Sequence, residues 1–325
     1  MTGSSGFVGR NLLRELHHRF PEAQINCLAR NQNKPNENTG VRFFPIDYLN
    51  IDSLLDSEAF YGADYLFHVA GITKAATKKA FWEGNVIPTK NILETIRIKE
   101  IKLRRFIYVS SQSASGPSSE IHHYKAENED EDPVELYGRS KLEGERLVKE
   151  YGNIIPFTII SPSSIFGPGD VDFYGIFKMT DYGINLYAGN RGKYFSLIYI
   201  DDLTKGIADA AMSENTINKK YFLCNDAPVT WNQIQERVFQ IAGKSKINIY
   251  IPYHLILCAS VFGSLYSIIT RRSALVNLNK VLLAKPKYWI LSNKNAKKDF
   301  GFSCRYSIDT GLRLTYEWYK TNGWI

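Results

Sequence analysis

The sequence predicts an α/β fold, a doubly wound parallel sheet with a smaller C-terminal lobe, and three observations predict it. A glycine-rich turn, Gly3-x-x-Gly6-x-x-Gly9, runs straight into an apolar helical pattern at Val8, Leu12, Leu13 and Leu16. Short apolar runs then alternate with helical periodicity as far as Ile165. That alternation places parallel strands in one layer with helices on both faces. Past Ile165 the pattern becomes irregular. Residues 1–165 therefore read as the doubly wound domain and 166–325 as the smaller lobe, with some return to the first layer near 195–212.

Taken in order, the glycines permit a tight turn and let the backbone approach a pyrophosphate, which the helix N-terminus stabilises. Such a turn should follow a strand, yet only Met1 precedes Thr2-Gly3. Most of a central first strand is thus expected to be missing from the chain as given, through a misassigned start or a truncation. Ile25–Arg30 reads as the second strand, ending about 20 residues past the turn, where a dinucleotide fold reads the ribose. An acid there would repel a 2′-phosphate. This chain has Arg30, with Asn31 and Lys34 nearby, which favours NADP over NAD. Val41–Tyr48 is a third strand whose end, Asp47-Tyr48, can meet the adenine edge. Ala63–Gly71 is a fourth, and its small Ala70-Gly71 end lets a cofactor lie against the backbone. His68 within it reads as a satisfied core histidine.

Helical spacing through Phe81, Val86, Ile92 and Ile96 carries Asn85. The fifth run, Phe106–Val109, ends in Ser110-Ser111-Gln112-Ser113, hydroxyls at the strand edge where such sheets bind ligands. Ile155–Ile160 is the sixth, and the loop Ser161–Asp170 after it is too rich in Gly and Pro for helix and is expected to cover the cofactor. Phe195–Ile200 and Tyr221–Cys224 read as strands of the small lobe, which closes over the substrate.

Between the fifth and sixth runs lies Tyr137-x-x-x-Lys141 at a predicted helix start, with Asp132 as N-cap, Pro133 at N1 and Glu135 as the capping-box acid. Residues four apart project from one face of a helix. A neighbouring ammonium favours a phenolate, which lets a phenol exchange a proton with a carbonyl or alcohol.

Composition fits a soluble enzyme: 325 residues, 44% hydrophobic and 22% charged. The net charge of +7 comes from scattered basic residues with only doublets such as Lys219-Lys220 and Arg271-Arg272. A nucleic-acid partner would need a clustered stripe, so an anionic cofactor or substrate is the reading. Four distant cysteines show no metal spacing, and no signal peptide is visible, so a cytoplasmic protein is expected. His122-His123 with the acidic run Glu127–Asp132 reads as a solvated loop before a helix rather than a metal site.

With these residues in view, the whole chain resembles the extended short-chain dehydrogenase/reductase family, also called NAD-dependent epimerase/dehydratases. The matching stretches are Thr2-Gly-x-x-Gly-x-x-Gly9, Phe67-His-Val-Ala-Gly71, Asn85, Tyr108-Val-Ser-Ser111, Tyr137-x-x-x-Lys141, Phe166-Gly-Pro-Gly169 and Tyr199-Ile-Asp-Asp-Leu203. The resemblance implies a Rossmann-type fold with Tyr137 as general acid/base. It implies that Lys141 lowers the Tyr137 pKa and holds the nicotinamide ribose, and that Ser111 bonds the reacting oxygen. It also implies cofactor contacts from Gly3, Ser5, Gly6, Phe7, Val8, Arg30, Asp47, Tyr48, Val69, Ala70, Gly71, Val109 and Pro162. Thr73, Ser113 and Ile165 would meet the substrate, with no metal. Ser161 departs from the pattern, since relatives often carry arginine there. Ser113-Ala114-Ser115-Gly116 lacks the tyrosine that many sugar-nucleotide members place before that glycine. The Ser-Ser-Gln-Ser form and the Gly323-Trp324-Ile325 tail look more like the branch of 3β-hydroxysteroid dehydrogenases and dihydroflavonol-type reductases.

The function expected is NAD(P)-dependent hydride transfer between nicotinamide and a secondary alcohol or ketone. A sugar epimerase or dehydratase with tightly held NAD is the first alternative and a non-catalytic cofactor-binding regulator the second. The nearly continuous apolar stretch Tyr250–Ile269 reads first as a buried or amphipathic helix bordering the substrate pocket. Peripheral membrane contact through 250–272 is its rival reading. A homodimer stays open.

Overall fold

In the computed structural model, which describes residues 1–30, 40–188, 192–270 and 278–325, the chain starts in the middle of its sheet. Thr2 forms parallel bridges to both Leu28 and His68, so one residue stands where a strand would run. The glycine turn then feeds α1 (Phe7–Arg19), β1 (Ile25–Ala29) and β2 (Val41–Pro45), with β1 and β2 parallel. On the other side of Thr2 lies β3 (Tyr65–His68), reached through α2 (Ile51–Leu55). Next come α3 (Lys78–Phe81), a π-helical turn (Trp82–Val86), α4 (Ile87–Ile98) and β4 (Arg105–Val109). After α5 (Gln112–Ser115) and α6 (Leu136–Glu150) the chain enters β5 (Phe157–Pro162).

The strand order β3-β4-β5 is parallel throughout. Every residue of β4 and β5 is buried, as expected for strands covered on both faces. The period-2 alternation sorts them: Phe106, Tyr108 and Ile159 join one core, while Ile107, Val109 and Ile160 join the other.

The second half starts with β6 (Ser164–Phe166), α7 (Tyr174–Asp181), β7 (Ile184–Ala188), β8 (Tyr194–Phe195) and β9 (Leu197–Tyr199). It returns through α8 (Ile200–Met212), tied to α1 by Arg14–Asp201 at 2.8 Å and Arg19–Asp209 at 2.5 Å. The next strand, β10 (Lys219–Leu223), pairs in parallel with β5. Tyr221–Leu223, expected in the small lobe, thus belongs to the main sheet. The remaining elements are β11 (Val229–Thr230), α9 (Trp231–Ala242), β12 (Ile247–Ile251), α10 (Tyr253–Thr270) and α11 (Leu278–Ala284). They are followed by β13 (Tyr288–Trp289), α12 (Lys294–Phe300) and α13 (Ile308–Thr321).

Three local expectations are corrected. The N-cap of α6 is Glu135, not Asp132: its carboxylate accepts from the Tyr137 amide at 2.5 Å and the Gly138 amide at 2.7 Å. A side chain that satisfies two free amides outcompetes an upstream Asp-Pro start. The acidic run before α6 is not simply solvated. Glu127 accepts the Phe222 amide at 2.8 Å and the Asn295 side chain at 2.6 Å, and so ties the run to β10 and α12. Finally, of the two alternatives for α10, a buried or an amphipathic helix, full burial is ruled out, since Leu255, Leu257, Val261 and Phe262 are exposed while Ser260 is buried. Among the described residues no helix is long and apolar enough to cross a membrane. Arg271-Arg272, Asn31 and Lys34 lie outside the described residues.

Candidate active site

Tyr137 and Lys141 stand one turn apart on α6, and the C-terminal end of β4 brings Ser111 to them. Ser111 caps α5, accepting the Ser113 amide at 3.2 Å, and also hydrogen-bonds the Tyr137 phenol. Burial pushes that phenol up to about 12, reinforced by Glu135 and Asp172, with the Ser111 bond opposing. The Lys141 ammonium donates to the Val109 carbonyl at 2.7 Å and sits 4.4 Å from the centre of the Tyr108 ring. Burial lowers Lys141 to about 7, and Glu145 works against that shift.

Glu145, one turn further along α6, went unnoticed in the sequence, although its spacing from Lys141 repeats that of Tyr137. It is fully buried. Ser110 donates to its Oε1 at 2.5 Å, Ser161 donates to the same oxygen at 3.2 Å, and Lys220 Nζ lies 2.7 Å from Oε2. Lys220 reaches in from β10 and also donates to Ser115 at 2.9 Å. The buried carboxylate is therefore balanced by a cation from the neighbouring strand, while position 161 contributes only a hydroxyl.

Asn85 locks this helix to the loop after β3. Its Oδ1 accepts the Ile72 amide at 2.8 Å, and its Nδ2 donates to the Ile72 carbonyl at 3.0 Å and to Ser140 at 2.8 Å. Ser140 in turn donates to the Tyr137 carbonyl at 2.7 Å. The π-helical turn that carries Asn85 is the kind of local insertion found at functional positions. His68 behaves as the core histidine expected. Its Nδ1 faces Thr2 Oγ1 at 2.8 Å, its Nε2 faces Thr89 Oγ1 at 2.9 Å, and burial drives its pKa down to about 3.

The glycine turn fits a bound dinucleotide. Gly3 has φ +72°, and a Cβ there would lie 2.6 Å from the Ala70 nitrogen. A Cβ on Gly9 would lie 1.8 Å from the Gly3 oxygen, so the helix can pack this close only without one. Thr2 Oγ1 accepts the amides of Val69 and Ala70 at 3.1 and 3.0 Å, holding the end of β3 against the turn. The N-terminus of α1 has no side-chain cap and no acid in its first turn. Its dipole is therefore free for the phosphate that Ser5, Gly6, Phe7 and Val8 would border.

Arg30 is exposed at the end of β1. Tyr48 donates its hydroxyl to the Leu28 carbonyl at 2.6 Å, so only its ring is left for an adenine, and Asp47 accepts the Leu49 amide at 3.0 Å. Gly71 lies close to Asn85, and Pro162 closes β5 opposite Leu223. Beside Ser111 opens a cavity of about 260 Å³ whose wall includes Ser113, Ser164, Lys193, Phe195, Leu283 and Trp289. Of the three expected substrate contacts, Ser113 lines it. Thr73, in the exposed loop before α3, and Ile165, on β6, do not. Phe195, Leu283 and Trp289 were invisible as site residues because only the folded lobe brings their segments together.

A family model described as the NAD dependent epimerase/dehydratase family matches residues 1–221. The ceramide reductase of Caulobacter vibrioides is 25% identical across 100% of this chain and 95% of its own length. The N-acetyl-alpha-D-glucosaminyl-diphospho-ditrans,octacis-undecaprenol 4-epimerase of Escherichia coli O157:H7 is also 25% identical, over 98% of this chain and 94% of its own. Among solved structures, the UDP-glucuronic acid 4-epimerase of Bacillus cereus in complex with UDP-glucuronic acid and NAD superposes with a TM-score of 0.77. It covers 99% of this chain and 98% of that one at 22% identity, a likeness of fold.

Proposed function

The chain belongs to the NAD-dependent epimerase/dehydratase family, and from that premise we propose that it interconverts a secondary alcohol and a ketone on an apolar, lipid-like substrate. The observation that carries this reading is the Ser111–Tyr137 pair with Lys141 one turn on, Ser111 lining a cavity in which Phe195, Leu283, Ala284 and Trp289 face the polar Gln112, Ser113, Ser163, Ser164 and Lys193. When bound, the nicotinamide supplies or takes the hydride. Tyr137, protonated at neutral pH, gives its proton to the carbonyl oxygen, and Ser111 positions that oxygen. Lys141 places positive charge beneath the site while it stays protonated. Ceramide and undecaprenol, the lipids in the two relatives' names, agree with the apolar wall. The E. coli relative's name also supports an epimerase, which would use the same three residues on both faces of a ketone.

A substrate screen tests the reading: NADPH consumption by full-length protein with long-chain keto-lipids, ketosteroids, simple ketones and nucleotide sugars. Long-chain ketones should turn over at least tenfold faster than simple ones. Conversion of a nucleotide sugar without net loss of NADPH would establish the epimerase instead.

The cofactor preferred is NADP, on the strength of Arg30 at the end of β1. A charge-assisted hydrogen bond contributes roughly 1.5–3 kcal/mol, or about 10- to 100-fold in affinity. Arg30→Ala should therefore raise the Kd for NADPH by about that factor and leave NADH within about twofold. Equal losses for both cofactors would remove Arg30 from 2′-phosphate recognition.

A further inference from the structure

We propose that the exposed face of α10 and α11 docks on an anionic lipid bilayer and sets the mouth of the Ser111 cavity against it. Leu255, Leu257, Val261 and Phe262 of α10 and Leu282 and Leu283 of α11 are exposed, Phe262 at 72%. Leu255, Cys258 and Phe262 follow one stripe of the helix, and Leu257 and Val261 follow another, so exposed apolar character is not confined to a single seam. Helices that are apolar around much of their girth are normally buried in protein or lipid. A patch of this kind on a protein surface marks an interaction site. Just before it, β12 adds exposed Ile247 and Ile249.

Charge identifies the occupant. Between Glu236 and Asp299 the sequence contains no aspartate or glutamate and eleven lysines and arginines. Arg237, Lys244, Lys246 and Lys297 are paired with Asp309, Asp181, Glu236 and Asp226, so the charge that bears on the apolar face is the basic run that accompanies α11 in the sequence, Arg271, Arg272, Lys280, Lys285 and Lys287. A second copy of this chain would bring the same positive charge against it. A bilayer with anionic headgroups offers both an apolar interior and negative charge, and each nearby basic residue adds about 1 kcal/mol. Lys285 and Lys287 immediately follow α11 and supply part of that charge.

Leu283 makes the link to chemistry, since it is exposed on α11 beside exposed Leu282 and also lines the cavity beside Ser111. A lipid carbonyl could pass from the bilayer to Ser111 without crossing water. That link rests on the substrate reading above, whereas the docking surface does not.

Flotation of the full-length protein separates the two. It should rise with vesicles containing phosphatidylglycerol and stay behind with phosphatidylcholine alone, and added salt should weaken the attachment. Leu255→Asp/Phe262→Asp should cut the floated fraction at least tenfold, and Lys285→Glu/Lys287→Glu severalfold, both retaining NADPH binding. Tyr137→Phe should float like the parent, so flotation without turnover would uphold docking and sink only the substrate reading. Three results overturn docking: no flotation of the parent, equal flotation of parent and Leu255→Asp/Phe262→Asp, or a parent dimer in sedimentation that Leu255→Asp/Phe262→Asp dissolves.

Discussion

Tyr137→Phe should lower kcat for carbonyl reduction by about 10²- to 10⁴-fold, the usual share of a positioned proton donor, while the Kd for NADPH changes less than about twofold. The barrier rises by roughly 3–5 kcal/mol, because the phenylalanine ring keeps the packing and loses only the proton. Stopped-flow turnover together with fluorescence titration of NADPH checks both halves. Activity within about tenfold of the parent would take the proton-transfer role away from Tyr137. The pH profile adds a second constraint. The phenol, raised to about 12, stays protonated across the working range, so it is not the group that limits reduction. Lys141, lowered to about 7, loses its charge as pH rises through that value. If the ammonium helps to stabilise the reacting oxygen, kcat/KM for reduction should bend downward as pH rises past about 7. A flat profile from pH 6 to 9 would show that Lys141 acts only by packing and hydrogen bonding.

What the sequence makes legible follows from how local each feature is. The glycine turn is readable because the demand on Gly9 comes from Gly3 and Ser4 within the turn, whereas the close approach of Val69 and Ala70 to Gly3 is seen only in the fold. Phe106–Val109 is readable because a strand covered on both faces is mostly apolar, even though β4 opens on the buried Arg105. Tyr137 and Lys141 are readable because helical spacing alone puts them on one face. The α6 cap is misread because Asp132-Pro133 imitates a helix start, and only the fold shows Glu135 satisfying two amides. The position of β10 depends on long-range pairing with β5, about which the local pattern of Tyr221–Leu223 says nothing. The apolar run from Tyr250 reveals a need for cover but not the side from which cover comes. Exposure of Phe262 is a property of the folded lobe alone. The same limit hides Lys220, whose partner lies on a different element.

Lys220→Met should cost about 3–5 kcal/mol of stability, because it leaves the fully buried Glu145 carboxylate without its cation. Ser110 and Ser161 still donate to Oε1, but hydroxyl bonds do not replace a full charge at 2.7 Å from Oε2. Lys220→Met/Glu145→Gln should recover much of that loss, since removing both charges removes the need to pair them. The two residues are in contact, so the double-mutant cycle should show a coupling of about 1–3 kcal/mol in urea melts of the cofactor-free protein. Glu145→Gln alone carries a functional signature that a merely structural role would not give. Glu145 is the group that raises Lys141 against its burial, so its neutralisation should move the fall in kcat/KM to lower pH. If Lys220→Met proves within about 1 kcal/mol of the parent, water or another cation must reach Glu145, and the buried pair is not what steadies α6. If the pH profile of Glu145→Gln is unmoved, the carboxylate holds the helix in place without tuning the lysine one turn before it.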